Sequence, residues 1–143
     1  MSKKIHEGEV NLAFLRLKNL PDFLSDVEVD GDFACHDNVM TYLEGAPKVI
    51  KGEFNCSNNQ LKSLKGAPQS VGTYFDCSMN QLESLQGCPQ TVRGDFDCNK
   101  NQLESLQGCP QTVGGDFDCG DNKVKFTEEQ VRAVCKVKGD VII

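Results

Sequence analysis

The chain has no tryptophan and only two histidines, His6 and His36, among its 143 residues. With no C-x-x-C pair either, the ligands for a Cys/His zinc site are missing, and no metal or other cofactor is expected. No apolar run reaches about 18 residues, so no membrane-spanning helix is expected. Cations are scarce: 15 Lys and Arg stand against 21 Asp and Glu, a net charge of −6. That balance disfavours direct binding of nucleic acid or an anionic membrane, and it points to a basic partner if the partner is charged. Residues 1–10 lack the apolar centre of a secretory signal, so a soluble cytoplasmic protein is expected. The length suits one domain with a core of its own.

Cysteine is what the chain has in excess, and the positions of its eight copies matter more than their number. Cys35, Cys56, Cys77, Cys98 and Cys119 recur every 21 residues; Cys88 and Cys109 share a second phase, and Cys135 stands alone. Cysteines in register follow the rule for a buried apolar slot, which a free thiol fills well. A disulfide framework would pair different phases, so free thiols are expected. A nucleophilic cysteine needs a base or cation beside it, and the repeat supplies none; no catalytic residue is expected.

The cysteines belong to a larger period. GDFDC at 94–98 and 115–119 has looser copies at 31–35, 52–56 and 73–77, all spaced by 21 residues, and NQLESLQGCPQTV occurs twice verbatim. The consensus is G-x-F-x-C-x-x-N-x-L-x-S-L-x-G-x-P-x-x-V-x. F-x-C alternates with period two, which places Phe and Cys on one face of a short strand and their neighbours on the other. Asn38, Asn59, Asn80, Asn101 and Asn122 form an unbroken column where the chain must turn. An inward Asn there can bond its own loop and the next rung. Gly-x-Pro brings the chain back without a helix. A single 21-residue unit cannot close a core, so the units stack as a solenoid with Phe, Cys, Leu and Val inside.

The pattern resembles the leucine-rich repeat, whose last fixed positions are matched by Phe96, Cys98, Asn101 and Leu103. More narrowly, it is similar to short leucine-rich-repeat proteins of tailed bacteriophages over about residues 31–124. Departures are few: Thr73-Tyr74 replaces Gly-Asp, and Tyr42 replaces Ser. The resemblance implies a leucine-rich-repeat-like solenoid of short parallel strands with irregular return segments, about six rungs in all. It also implies a phage accessory protein in a host cytoplasm, with the outward strand positions lining a concave binding face.

Three regions are expected. Residues 1–30 form an N-terminal cap, with a degenerate first rung whose strand lies near residues 8–13. Residues 31–124 hold five repeats, and residues 125–143 a helical cap and tail. Val10, Leu12, Leu17 and Leu20 mimic the Phe, Cys and two Leu columns. Thr127 to Gln130 reads as a capping box, with Phe126 and Val131 as its hydrophobic staple. Val131, Val134 and Cys135 give an apolar stripe, Lys136 and Lys138 suit the helix C-terminus, and Gly139 ends it.

The outward positions beside Phe are Asp32, Glu53, Tyr74, Asp95 and Asp116. Those between Phe and Cys are Ala34, Asn55, Asp76, Asp97 and Asp118, so seven of the ten are acidic. In-register strands about 4.8 Å apart set equal charges against one another, at about 0.9 kcal/mol per pair even in water. With no structural return evident for that cost, the face is expected to hold a basic protein partner. Tyr74 serves as an aromatic anchor, with His36 at the N-terminal edge. Mimicry of nucleic-acid charge against a host factor is a sharper version, and solubilisation by copied Asp the bland one. The alternatives are end-to-end assembly in place of a monomer, and weak divalent-cation binding on the Asp columns. The segment from Asp116 to Thr127 fails as a calcium loop, since Asp121 replaces the turn Gly and Thr127 the bidentate Glu.

Overall fold

The computed structural model describes residues 3–143. It is a parallel β-solenoid of seven turns, and each turn contributes one strand to each of two seven-stranded sheets. Numbered along the chain, the odd strands make the first sheet: β1 (Lys4–Glu7), β3 (Val27–Asp30), β5 (Val49–Ile50), β7 (Ser70–Val71), β9 (Thr91–Val92), β11 (Thr112–Val113) and β13 (Lys136–Val137). The even strands make the second: β2 (Val10–Asn11), β4 (Phe33–Ala34), β6 (Phe54–Asn55), β8 (Phe75–Asp76), β10 (Phe96–Asp97), β12 (Phe117–Asp118) and β14 (Val141–Ile142). The solenoid expected from the repeat is present. Two features of it differ from expectation: there are seven rungs rather than about six, and the return segment contains a second strand. The Val column that closes each unit lies inside that strand, buried at Val71, Val92 and Val113.

The core follows the columns. Phe33, Phe54, Phe75, Phe96 and Phe117 are fully buried and stack with ring centroids 5.1 to 5.9 Å apart. Val10 and Val141 terminate the stack, pairing in register with Phe33 and Phe117. Val10 lies in β2, within residues 8–13, and takes the Phe position of the first rung. All eight cysteines are buried free thiols. Burial pushes them above their ordinary range, to about 11 at Cys119 and Cys135, which suppresses the reactive thiolate.

Each ladder asparagine serves two rungs. Asn80 Nδ2 donates to the carbonyls of Cys77 and Ser78 in its own loop and of Cys56 one rung earlier, and its Oδ1 accepts from Leu61 N. Asn59 and Asn101 repeat the pattern. The link runs to the preceding rung, not the next one as the sequence suggested. The residue before each ladder Asn is left-handed: Asp37, Asn58, Met79, Lys100 and Asp121 have φ of 52° to 56°. For a non-glycine residue this costs about 1 kcal/mol, offset by the backbone bonds that the Asn then completes.

The two ends differ. At the C-terminus a short helix, α1 (Glu128–Val134), opens on the expected capping box, with Phe126 and Val131 buried. Val134 leaves the expected apolar stripe, being 53% exposed. The helix stops earlier than the sequence indicated. Cys135 is its extended C-cap, and Lys136 lies in β13, paired with Thr112, so Lys136, Lys138 and Gly139 belong to a seventh rung and not to the helix end. Arg132 reaches from α1 across that last rung and donates to Val137 O at 2.8 Å and Gly139 O at 2.9 Å. At the N-terminus β1 and β2 are edge strands, and Ile5 (59%), Phe14 (72%) and Phe23 (66%) are exposed.

Candidate functional site

The outer face of the second sheet carries the residues singled out from the sequence, in two columns. Strand pairing aligns Asn55 with Asp76, Asp76 with Asp97, and Asp97 with Asp118. The column beside it runs through Asp32, Glu53, Tyr74, Asp95 and Asp116. Two more acids extend it, Glu9 before Val10 and Asp140 before Val141. Sequence reasoning missed both, because the 23- and 24-residue spacings of the end rungs fall outside the 21-residue period. A second sheet of seven strands lies on the other flank, so the acidic surface is the outer face of one of two sheets.

The carboxylates do have a structural return, contrary to expectation. In the first column Asp32, Asp95 and Asp116 each accept, on Oδ1, the backbone N–H one rung later: Glu53 at 2.9 Å, Asp116 at 2.8 Å and Asp140 at 2.8 Å. A glycine on the later rung makes room for this bond. A Cβ on Gly52, Gly115 or Gly139 would fall 2.0, 2.0 or 2.2 Å from the accepting oxygen. Thr73 occupies the glycine position only where the preceding acid is the longer Glu53. In the second column the side chain accepts the N–H two residues on and closes an Asx turn. The bonds run from Ser78 to Asp76 (2.9 Å), Asn99 to Asp97 (3.0 Å) and Gly120 to Asp118 (3.0 Å).

The turn needs the oxygen but not the charge. Asn11 and Asn55 accept the N–H of Ala13 and Ser57 in the same way, both at 3.0 Å, and are neutral. The charge meanwhile has a visible cost. Burial first, then the neighbouring Asp76 and Asp118, push the half-buried Asp97 carboxyl up to about 6. Glu53 is also raised, by burial and then by Asp32 and Asp76. No Lys, Arg or His among the described residues forms an ion pair with any acid of the two columns.

Tyr74 is half-buried among these acids, and its hydroxyl donates to Asp97 Oδ2 at 3.2 Å. Burial, reinforced by Asp76 and Asp97, raises its phenol, so it stays a neutral donor. His36 is drawn elsewhere. Its Nδ1 lies 2.7 Å from Asp37 Oδ2, and Phe14 packs edge-on against its ring at 5.4 Å. The hydrogen bond to His36 holds the Asp37 carboxyl below its ordinary value. The ladder asparagines face the interior and take no part in the surface.

Among the described residues, no group of three or more His, Cys, Asp or Glu is placed to hold a metal ion, and no helix is long and apolar enough to cross a membrane. No family model, no curated protein and no solved structure matches the chain.

Proposed function

We propose that the chain is a non-enzymatic protein-binding module that engages a basic partner through the acidic outer face of its second sheet. One observation carries the reading. Asp76, Asp97 and Asp118 do a task that Asn11 and Asn55 do without charge, so three stacked carboxylates stand where the fold needs only an oxygen acceptor. Among the described residues no intramolecular ion pair engages that face, which leaves the charge available to a partner. Tyr74, in the first column and bonded to Asp97 of the second, offers a rigid aromatic contact. The likeness to phage leucine-rich-repeat proteins supports a finer version, in which an accessory protein occupies the cation-lined cleft of a host factor that otherwise holds nucleic acid.

The test uses affinity purification from cell extract on the intact chain and on a variant carrying Asp76→Asn, Asp95→Asn, Asp97→Asn and Asp116→Asn. Asparagine keeps the accepting oxygens, so the fold stays. The expected result is a basic protein recovered on the intact chain and lost from the variant. Equal recovery on both, or recovery that persists in about 0.5 M salt, where screening acts within a few ångströms, overturns the reading.

A further inference from the structure

The open N-terminal end presents β1, the longest strand along with β3, with one edge paired to β3 and the other unpaired. Edge strands are normally blocked by a charge, a bulge or a covering segment, and the opposite end of this solenoid follows that rule through α1 and Arg132. At the N-terminal end β1 carries the charged Lys4 and Glu7, but among the described residues no helix or arginine covers its free edge. Beside β1 a cavity of about 370 Å³ opens between Ile5, His6, Val10, Leu12, Phe23 and Leu24.

The order of side chains along β1, with Lys3 immediately before it, identifies what fits the edge. In an antiparallel pair, directly opposite residues share a face, so a two-fold axis through the sheet can bring one strand against its own copy about a single central residue. Centred on Ile5, Lys3 lies opposite Glu7 and Glu7 opposite Lys3, with Ile5 against Ile5 between them. These three positions share the outward face, because Ile5 is in register with Glu28 while His6 aligns with the buried Val29. Glu28 is approached by Lys3 at 3.9 Å and by Lys51 at 3.6 Å, so it keeps a cation when Lys3 turns to the second copy.

We infer that two copies of this chain associate at their N-terminal ends through antiparallel pairing of β1 about Ile5. The contact closes on itself, and it leaves the acidic face of the second sheet free on both copies. Head-to-tail stacking is disfavoured on two grounds. Arg132 occupies the Val137 and Gly139 carbonyls at the far end, and stacking in register sets Asp140 against Glu9.

Sedimentation equilibrium of the full chain tests this over a roughly hundredfold range of concentration. The expected result is a monomer–dimer equilibrium with no larger species. Lys3→Glu and Glu7→Lys each place like charges opposite one another in two symmetric positions, so each alone weakens the dimer by about tenfold or more. Mixing the two variants restores association, since each then carries the charges the other lacks; neither position is buried, and circular dichroism verifies the fold. A monomer at every concentration, assembly that grows beyond two, or a dimer indifferent to both substitutions overturns the inference.

Discussion

The two ends of the solenoid are built from the same rung and finished differently. The last rung is covered by a capped helix, a buried Val131 and an arginine on the free carbonyls of its strand. The first rung keeps the columns with other apolar residues, the smaller Val10 for Phe and the larger Leu12 for Cys, and ends in open strands and exposed Ile5, Phe14 and Phe23. A stack of identical layers has no intrinsic stop, so each end is a separate solution. One end is sealed by the chain itself, and the other shows open strand edges among the described residues.

The contrast breaks most sharply at the seal. Val131→Ala removes a fully buried side chain from the cap and is expected to destabilise the chain by about 2 kcal/mol in urea unfolding. Phe23→Ala, at the open end, is expected to stay within about 0.5 kcal/mol. Equal losses from the two would mean the ends are equally packed. Arg132→Ala comes next. It leaves the Val137 and Gly139 carbonyls of the last rung to water and is expected to lower stability by about 1 kcal/mol. Backbone amide exchange should rise from Lys136 to Gly139 while β1 stays unchanged. An unaltered exchange pattern would show that the arginine seals nothing.

The smallest effect concerns charge along one column, which is neutral toward the first rung (Asn11, Ala34, Asn55) and acidic toward the last (Asp76, Asp97, Asp118). Asp97 takes up its proton near 6 in the folded chain, against an ordinary 3.8. The folded state therefore binds more protons than the unfolded state in that window. Stability falls as pH rises through it and stays lower above. Asp97→Asn keeps the turn and removes the charge, so at neutral pH it is expected to gain roughly 1 kcal/mol, after discounting for the half of the side chain left in water. Below about pH 4 the gain should vanish; urea melts at the two pH values measure it, and a gain unaffected by pH would point away from charge.

The columns of Phe, Cys and Asn were legible because each occupies a fixed phase and a buried environment, and the capping box because its chemistry is local. The second strand was not. It is only two residues long in rungs three to seven, and a lone buried Ile or Val beside Val, Ser, Thr or Lys carries no alternation to detect. The seventh rung was hidden because α1 is inserted before it and shifts Val137 and Val141 out of period. Lys136 and Lys138 then read as helix-end cations, when Lys136 is an outward position of β13 and Lys138 an exposed residue just after it. On the acidic face the residues were legible and their bonds were not, although a signal stood in the sequence. Gly52, Gly115 and Gly139 each follow an Asp rung, and Thr73 follows Glu53.

That coupling makes the layers less interchangeable than their spelling suggests. A unit beginning with Thr73 cannot follow one that offers Asp32, Asp95 or Asp116 without displacing the accepting oxygen, whose space its first side-chain carbon would occupy. Lengthening such a protein by copying is therefore constrained at the seam: the inserted piece must bring its glycine to meet the aspartate already in place, and must leave an aspartate or a harmless substitute for the layer that follows.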